Sequence, residues 1–206
     1  MDKNRLEALS DGVFSIIMTL LIFNVAVPTI AGTASEADIA TALLNLSPLF
    51  VSYFMSFAVL AMFWISHNFF YHSVTTEVNR KLVLLNMLYL SFLAFIPFSA
   101  HLLGEYQYLK LPVLLYGANV LLIGIIASFI LHYAIYSHDI DTSHLDERLV
   151  AQARVRSLLT PISTAIGIAV LNFSTPAALI LFTFPIIFNL IPGSLGLMER
   201  IFKFTL

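Results

Sequence analysis

Apolar residues run along this chain in long blocks with short polar breaks between them. The first block extends from about Asp11 to Val27 and stops at Pro28. Proline has no N–H, and it pushes the residue before it out of the α region. A polar stretch with Gly32, Ser35, Glu36 and Asp38 follows. Further blocks cover about Leu46–Phe70, Leu82–Leu102 and Leu111–Tyr136, and the most charged stretch, Ser137 to Arg156, comes next. The last apolar run, from about Ser157 to Ile191, is too long for one bilayer span of about 20 residues. Its Asn172-Phe173-Ser174-Thr175-Pro176 sequence is a turn signal, so the run divides into helices over 157–173 and 176–191. Each half lies at the short end of the spanning range, and Pro185 predicts a kink in the second. The pattern predicts an all-α integral membrane protein. Residues 1–206 form a single domain of six transmembrane helices, over about 11–27, 46–70, 82–102, 111–136, 157–173 and 176–191.

Composition sharpens this. The chain is 59% hydrophobic and 11% charged, with mean hydropathy +0.91, whereas a soluble domain is about 25% charged. That excludes a soluble globular protein, and also disorder, which needs low hydrophobicity and high charge. A net charge of −2 gives no sign of a nucleic-acid partner. The absence of cysteine removes disulfides, thiolate metal sites and a cysteine nucleophile. The N-terminus reads as a retained helix, because its charged start mixes acids with bases and no small-residue cleavage site follows. With six spans, Lys3, Arg5, Arg80, Lys81, Arg148, Arg154, Arg156, Arg200 and Lys203 share one side, and Lys110 alone takes the other. The positive-inside rule then predicts cytoplasmic termini. The two halves of the chain share no motif, which weakens an inverted-repeat transporter.

The first helix carries the most informative polar residues. Arg5 and Asp11 are six apart and point to different faces, so each needs a partner from elsewhere, since an ionisable group at the membrane edge is costly unless paired or wetted. The second helix ends at the same depth with Trp64-Ile65-Ser66-His67-Asn68. An indole N–H, an imidazole and an amide are all suited to donate to the Asp11 carboxylate. Such a set either clamps helix one to helix two or also holds a pathway mouth or senses protons. On a wheel of about 100° per residue, Ile16, Thr19, Leu20 and Phe23 form one stripe, with Gly12 and Val27 on the same line. Two readings stay open: ordinary packing with Thr19 bonding its own i−4 carbonyl, or stacked rings around an axis, where apolar rings gate by dewetting and hydroxyls replace part of a hydration shell.

Other chemistry finds little support. No pair of the six histidines has His-x-x-x-His spacing at mid-membrane depth, which leaves no metal or haem site and no cofactor. Walker, Gly-x-Ser-x-Gly and His-Glu-x-x-His motifs are absent, so no enzyme is expected. Asp139, Asp141, Asp146 and Glu147 read as a solvated acidic loop, and Asn86, Asn119, Asn172 and Asn189 as interhelical hydrogen-bonding groups.

Arg5-Leu6-Glu7-Ala8-Leu9-Ser10-Asp11 resembles the Arg-x-x-x-Phe-Ser-Asp signature of the bacterial members of the transmembrane protein 175 family of potassium channels, with Leu9 where the family usually has Phe. The Trp64-Ile65-Ser66-His67-Asn68 stretch is similar to that family as well. The resemblance implies a homotetrameric, potassium-selective leak channel with no re-entrant filter loop, in the plasma membrane of a bacterium. Helix one of each subunit lines the pore, with Ile16, Thr19, Leu20 and Phe23 as constriction and selectivity residues. Arg5, Ser10, Asp11, Trp64, His67 and Asn68 form the polar network between helices one and two, and potassium is the permeant ion. A proton-coupled carrier using Asp11 and His67 is the alternative.

Overall fold

The computed structural model describes residues 2–30, 32–75, 77–137, 140 and 146–190, whose regular elements are all helices, with no strand among them. The expected His138, Asp139, Asp141 and His144 of the charged loop, and Ile191, Arg200 and Lys203 beyond the last helix, lie outside the described residues.

Helix α1 (Lys3–Leu20) starts earlier than the apolar block does. Asp2 caps it, its carboxylate accepting from the Asn4 N–H at 3.2 Å. A 3-10 turn, Leu21–Asn24, winds its far end more tightly before the chain leaves it. The polar stretch after Pro28 contains helix α2 (Glu36–Asn45), where no helix is expected from hydropathy. Ser35 and Asp38 build a reciprocal capping box there, which satisfies first-turn N–H groups without apolar burial.

Helix α3 (Ser47–Phe69) continues into a π turn, Phe70–Val74. The expected third helix is two: α4 (Arg80–Ala94) and α5 (Ile96–Glu105), meeting at Phe95. Pro97, at the start of α5, has no N–H to extend the α4 ladder, so the break falls where a proline is tolerated. Helix α6 (Lys110–Tyr136) matches its apolar block closely. Helix α7 (Glu147–Val170) starts ten residues before the expected 157. A hydropathy window sees only its apolar half, because the first half carries Arg148, Gln152, Arg154 and Arg156. Helix α8 (Thr175–Leu190) follows the turn after Val170.

Among the described residues, four stretches are long and apolar enough to cross a membrane: Lys3–Asn24, Ser47–Val74, Arg80–Glu105 and Lys110–Tyr136, with Thr175–Asn189 a shorter apolar helix. Helix α1 packs on α3, α4 and α5, while α6, α7 and α8 pack on one another. The key to the second group is Phe182 of α8. Its ring fills the space in front of both Gly117 of α6 and Gly167 of α7, where a Cβ on either glycine would collide with it. On the other side, the Ser52 hydroxyl of α3 donates to the Ala100 carbonyl of α5 at 2.5 Å.

Candidate functional site

Helix α1 has two faces. Leu6, Ser10, Phe14, Ile17 and Leu21 are buried. On the opposite flank Arg5, Leu9, Gly12, Ile16, Thr19, Leu20, Phe23 and Val27 are exposed in the single chain. Ile16 is 59% exposed and Phe23 78%, values far from those of core residues. At 3.6 residues per turn the exposed residues form one continuous stripe, with Arg5 and Leu9 at its lower end. Leu9 is therefore not a packing residue within the chain. The Thr19 hydroxyl donates back along its helix, to Ser15 O at 3.0 Å and Ile16 O at 2.9 Å. Its proton is thus engaged, and its oxygen lone pairs stay on the open side.

The polar residues expected to gather around Asp11 divide into two separate contacts. In the first, the Trp64 indole N–H donates to the Asp11 carboxylate at 2.9 Å, at an exposed site. His67 is not there. It turns into the protein and pairs through Nε2 with the Asn86 amide oxygen of α4 at 2.9 Å. Asn86 in turn donates from Nδ2 to the Ser10 hydroxyl at 3.0 Å, and Ser10 donates to the Leu6 carbonyl at 2.9 Å. The direction of this chain is fixed. Because Ser10 gives its proton to Leu6, it accepts from Asn86, so the Asn86 oxygen faces His67 and Nε2 carries the hydrogen.

His67 differs from the expectation for a packing reason. Its ring stacks on Tyr89 with centroids 5.7 Å apart and 9° between planes, and meets Phe14 edge-on at 5.7 Å. Burying an imidazole among rings requires a hydrogen-bond partner at the same depth, and Asn86 is that partner. Arg5 and Asn68 are exposed and have no hydrogen-bond or ion-pair partner among the described residues, so the network within one chain is Ser10, Asp11, Trp64, His67 and Asn86. Asn86, expected only as a general interhelical hydrogen-bonding group, is the centre of this chain. Depth holds the clue: Asn86 is six residues, or about 9 Å, along α4 from Arg80, level with Ser10.

A second anchor holds the other end of α1. The Asn24 amide donates to the Pro97 carbonyl at 2.8 Å, tying the 3-10 turn to the break between α4 and α5. Among the described residues no group of three or more His, Cys, Asp or Glu gathers to hold a metal.

The family described as "Endosomal/lysosomal potassium channel TMEM175" matches residues 5–97, the span that contains every member of both contacts around Ser10 and Asp11. A potassium channel of Chryseobacterium sp. (strain P1-3) is 30% identical over 169 residues, covering 82% of this chain and 82% of its own. The chain belongs to the TMEM175 family. That family consists of ion channels, not enzymes. The endosomal/lysosomal proton channel TMEM175 of Gallus gallus is 34% identical over 111 residues, 52% of this chain and 22% of its own length. Among solved structures, the crystal structure of a lysosomal potassium-selective channel TMEM175 homolog from Chamaesiphon minutus matches with a TM-score of 0.78. It covers 90% of this chain and 95% of that one at 24% identity, which speaks for a shared TMEM175 fold.

Proposed function

We propose that the protein is a potassium-selective cation leak channel. Four copies surround a central pore lined by α1. Ile16 forms the tightest ring, Thr19 supplies oxygen atoms to the ion, and Leu20 and Phe23 continue the apolar wall. Phe23 is bulkier than leucine, which makes the outer ring narrow. Six spans leave both termini in the cytoplasm of a bacterium and the channel in its plasma membrane, with the basic residues on the inner side.

The observation that carries this reading is the exposed stripe on α1. A helix so firmly anchored on one face, by Leu6, Ser10, Phe14, Ile17 and Leu21, leaves several large apolar groups of the opposite flank uncovered in the single chain, with the Thr19 oxygen among them. Several helices around an axis bury such a stripe and put the Thr19 oxygens toward the ion. The relatives named potassium channels support potassium as the permeant ion.

The test is the reversal potential of purified protein in a planar bilayer under opposed potassium and sodium gradients, with a proton gradient in a third arm because the vertebrate relatives are named proton channels. Reversal near the potassium equilibrium potential supports the reading. Flux too slow for an open pore would favour a carrier, although the separate partners of Asp11 and His67 give a direct proton relay between them no geometric support.

A further inference from the structure

A cavity of about 470 Å³ lies where α3 and α8 finish and α7 begins. None of its lining residues comes from α1, so it is separate from the exposed stripe. Its volume falls within the range of small-molecule pockets, about 300–1,000 Å³. The walls are mainly apolar, including Ala127, Ile130, Ala153 and Ile186, and among the described residues no acidic side chain lines them.

Alongside Ser157 and Thr160 of the same helix, α7 brings two long polar side chains to this cavity, Gln152 and Arg156. They are four residues apart and share one helix face. Neither has a hydrogen-bond or ion-pair partner among the described residues. The neighbouring cations are occupied. Arg154 donates to the Tyr136 hydroxyl at 2.5 Å and lies over its ring, and Lys81 sits 4.5 Å from the Tyr133 ring centroid. Arg156 is thus a guanidinium without a counter-ion beside an apolar hole, on a helix whose first half carries three arginines.

We propose that this cavity binds an anionic phospholipid of the surrounding bilayer. One acyl chain enters between Ala127, Ile130, Ala153 and Ile186. The phosphate takes a charge-assisted fork from Arg156, and Gln152 adds an amide N–H. Basic residues at a membrane interface already concentrate anionic lipid, which favours a bilayer phospholipid as the source of the head group. The lipid reaches His67, which also lines the cavity, and so touches the hydrogen-bond chain that holds α1. This inference requires membrane insertion but not the channel reading.

The experiment is native mass spectrometry of delipidated full-length protein titrated with phosphatidylglycerol or phosphatidylcholine. The expected result is one phosphatidylglycerol per chain, held about tenfold more tightly than phosphatidylcholine. Arg156→Gln removes that preference, whereas Arg154→Gln largely preserves it. Ala153→Phe, which fills the cavity and keeps every charge, lowers retention of both lipids. Equal retention of the two lipids by the wild type overturns the proposal. So does an Arg154→Gln effect as large as that of Arg156→Gln, which reports the general field of the basic end. Displacement of phosphatidylglycerol by equimolar oleate overturns it too, by assigning the cavity to free acids. Because Arg156 is exposed, Arg156→Gln remains folded and informative if Ala153→Phe does not.

Discussion

The Trp64 indole and the Asp11 carboxylate meet at 2.9 Å across an exposed seam between α1 and α3, while one turn away His67 turns inward to Asn86. The two contacts fix α1 from different sides. Asp11 holds its flank, and the Ser10–Asn86–His67 chain holds its buried face. Removing the Asp11 contact therefore loosens α1 without emptying the core. Trp64→Phe and Asp11→Ala are each expected to cost about 1–2 kcal/mol, and their double mutant less than the sum, as for a shared interaction. Thermal unfolding of the four variants in detergent measures this. Under the proposed assembly, Asp11→Ala is expected to lower the fraction of assembled protein more than the selectivity of channels that do assemble. Fully assembled channels with altered selectivity would reverse that order.

Asn86→Leu is expected to be worse than Ser10→Ala. Leucine leaves the His67 N–H buried and unsatisfied and removes the donor to Ser10, and each unmade buried bond costs about 1–3 kcal/mol. Ser10→Ala leaves the Asn86 N–H without its acceptor but keeps the His67–Asn86 bond, one unmade bond against two, and costs about 1–2 kcal/mol. Unfolding midpoints that fall in the opposite order would place the weight of this site elsewhere.

Gly117→Val forces a branched side chain into the space held by the Phe182 ring. Overpacking of this kind costs about 1–3 kcal/mol. Phe182→Leu, which shortens the intruding ring, recovers part of the loss in the Gly117→Val background. If the double mutant unfolds at the Gly117→Val midpoint or below it, the clash lies with some other group.

On the α1 stripe, Thr19→Val keeps shape and removes oxygen. The ratio of potassium to sodium permeability falls while the amount of folded protein stays the same, because Thr19 is exposed within its own chain. Ile16→Ala is expected to widen the proposed apolar ring and so to raise unitary conductance. Cysteine labelling separates pore from packing, since the native chain has none. Ile16→Cys, Thr19→Cys and Phe23→Cys react with a small polar reagent, and Ile17→Cys and Leu21→Cys, which replace residues 3% and 0% exposed, do not.

Helix α2 titrates. Hydrogen bonds from the Ser35 side chain and backbone hold the Asp38 carboxyl below its ordinary value. A depressed carboxylate contributes stability above its unfolded pKa and loses it as pH falls through the lower, folded value. The α2 cap is therefore complete at neutral pH and frays in acid. Ser35→Ala moves the Asp38 titration, followed by carbon NMR, up toward its ordinary position and loosens the first turn of α2 already at neutral pH.

The helices visible in the sequence are those whose burial in lipid requires unbroken apolar length. Segment four reads as Leu111–Tyr136 and folds as Lys110–Tyr136, because no charged residue falls between its ends and Pro112 sits in the first turn, where a proline is tolerated. Hydropathy fails where other forces set the helix. The Ser35–Asp38 box starts α2 without apolar residues, Pro97 divides the third segment, and the charged half of α7 is helical although no window for apolar length detects it.

The sequence by itself determined that this chain lives in a membrane, that α1 carries the informative polar residues, and that Ile16, Thr19, Leu20 and Phe23 share a face, since composition and the 3.6-residue period are local properties. Only the tertiary structure decided which polar groups meet. Trp64 and His67, three residues apart on one helix, divide between an exposed carboxylate and a buried amide. That choice depends on what α4 brings to the other side of the imidazole, and no spacing along one helix encodes the side chain that a second helix places against it.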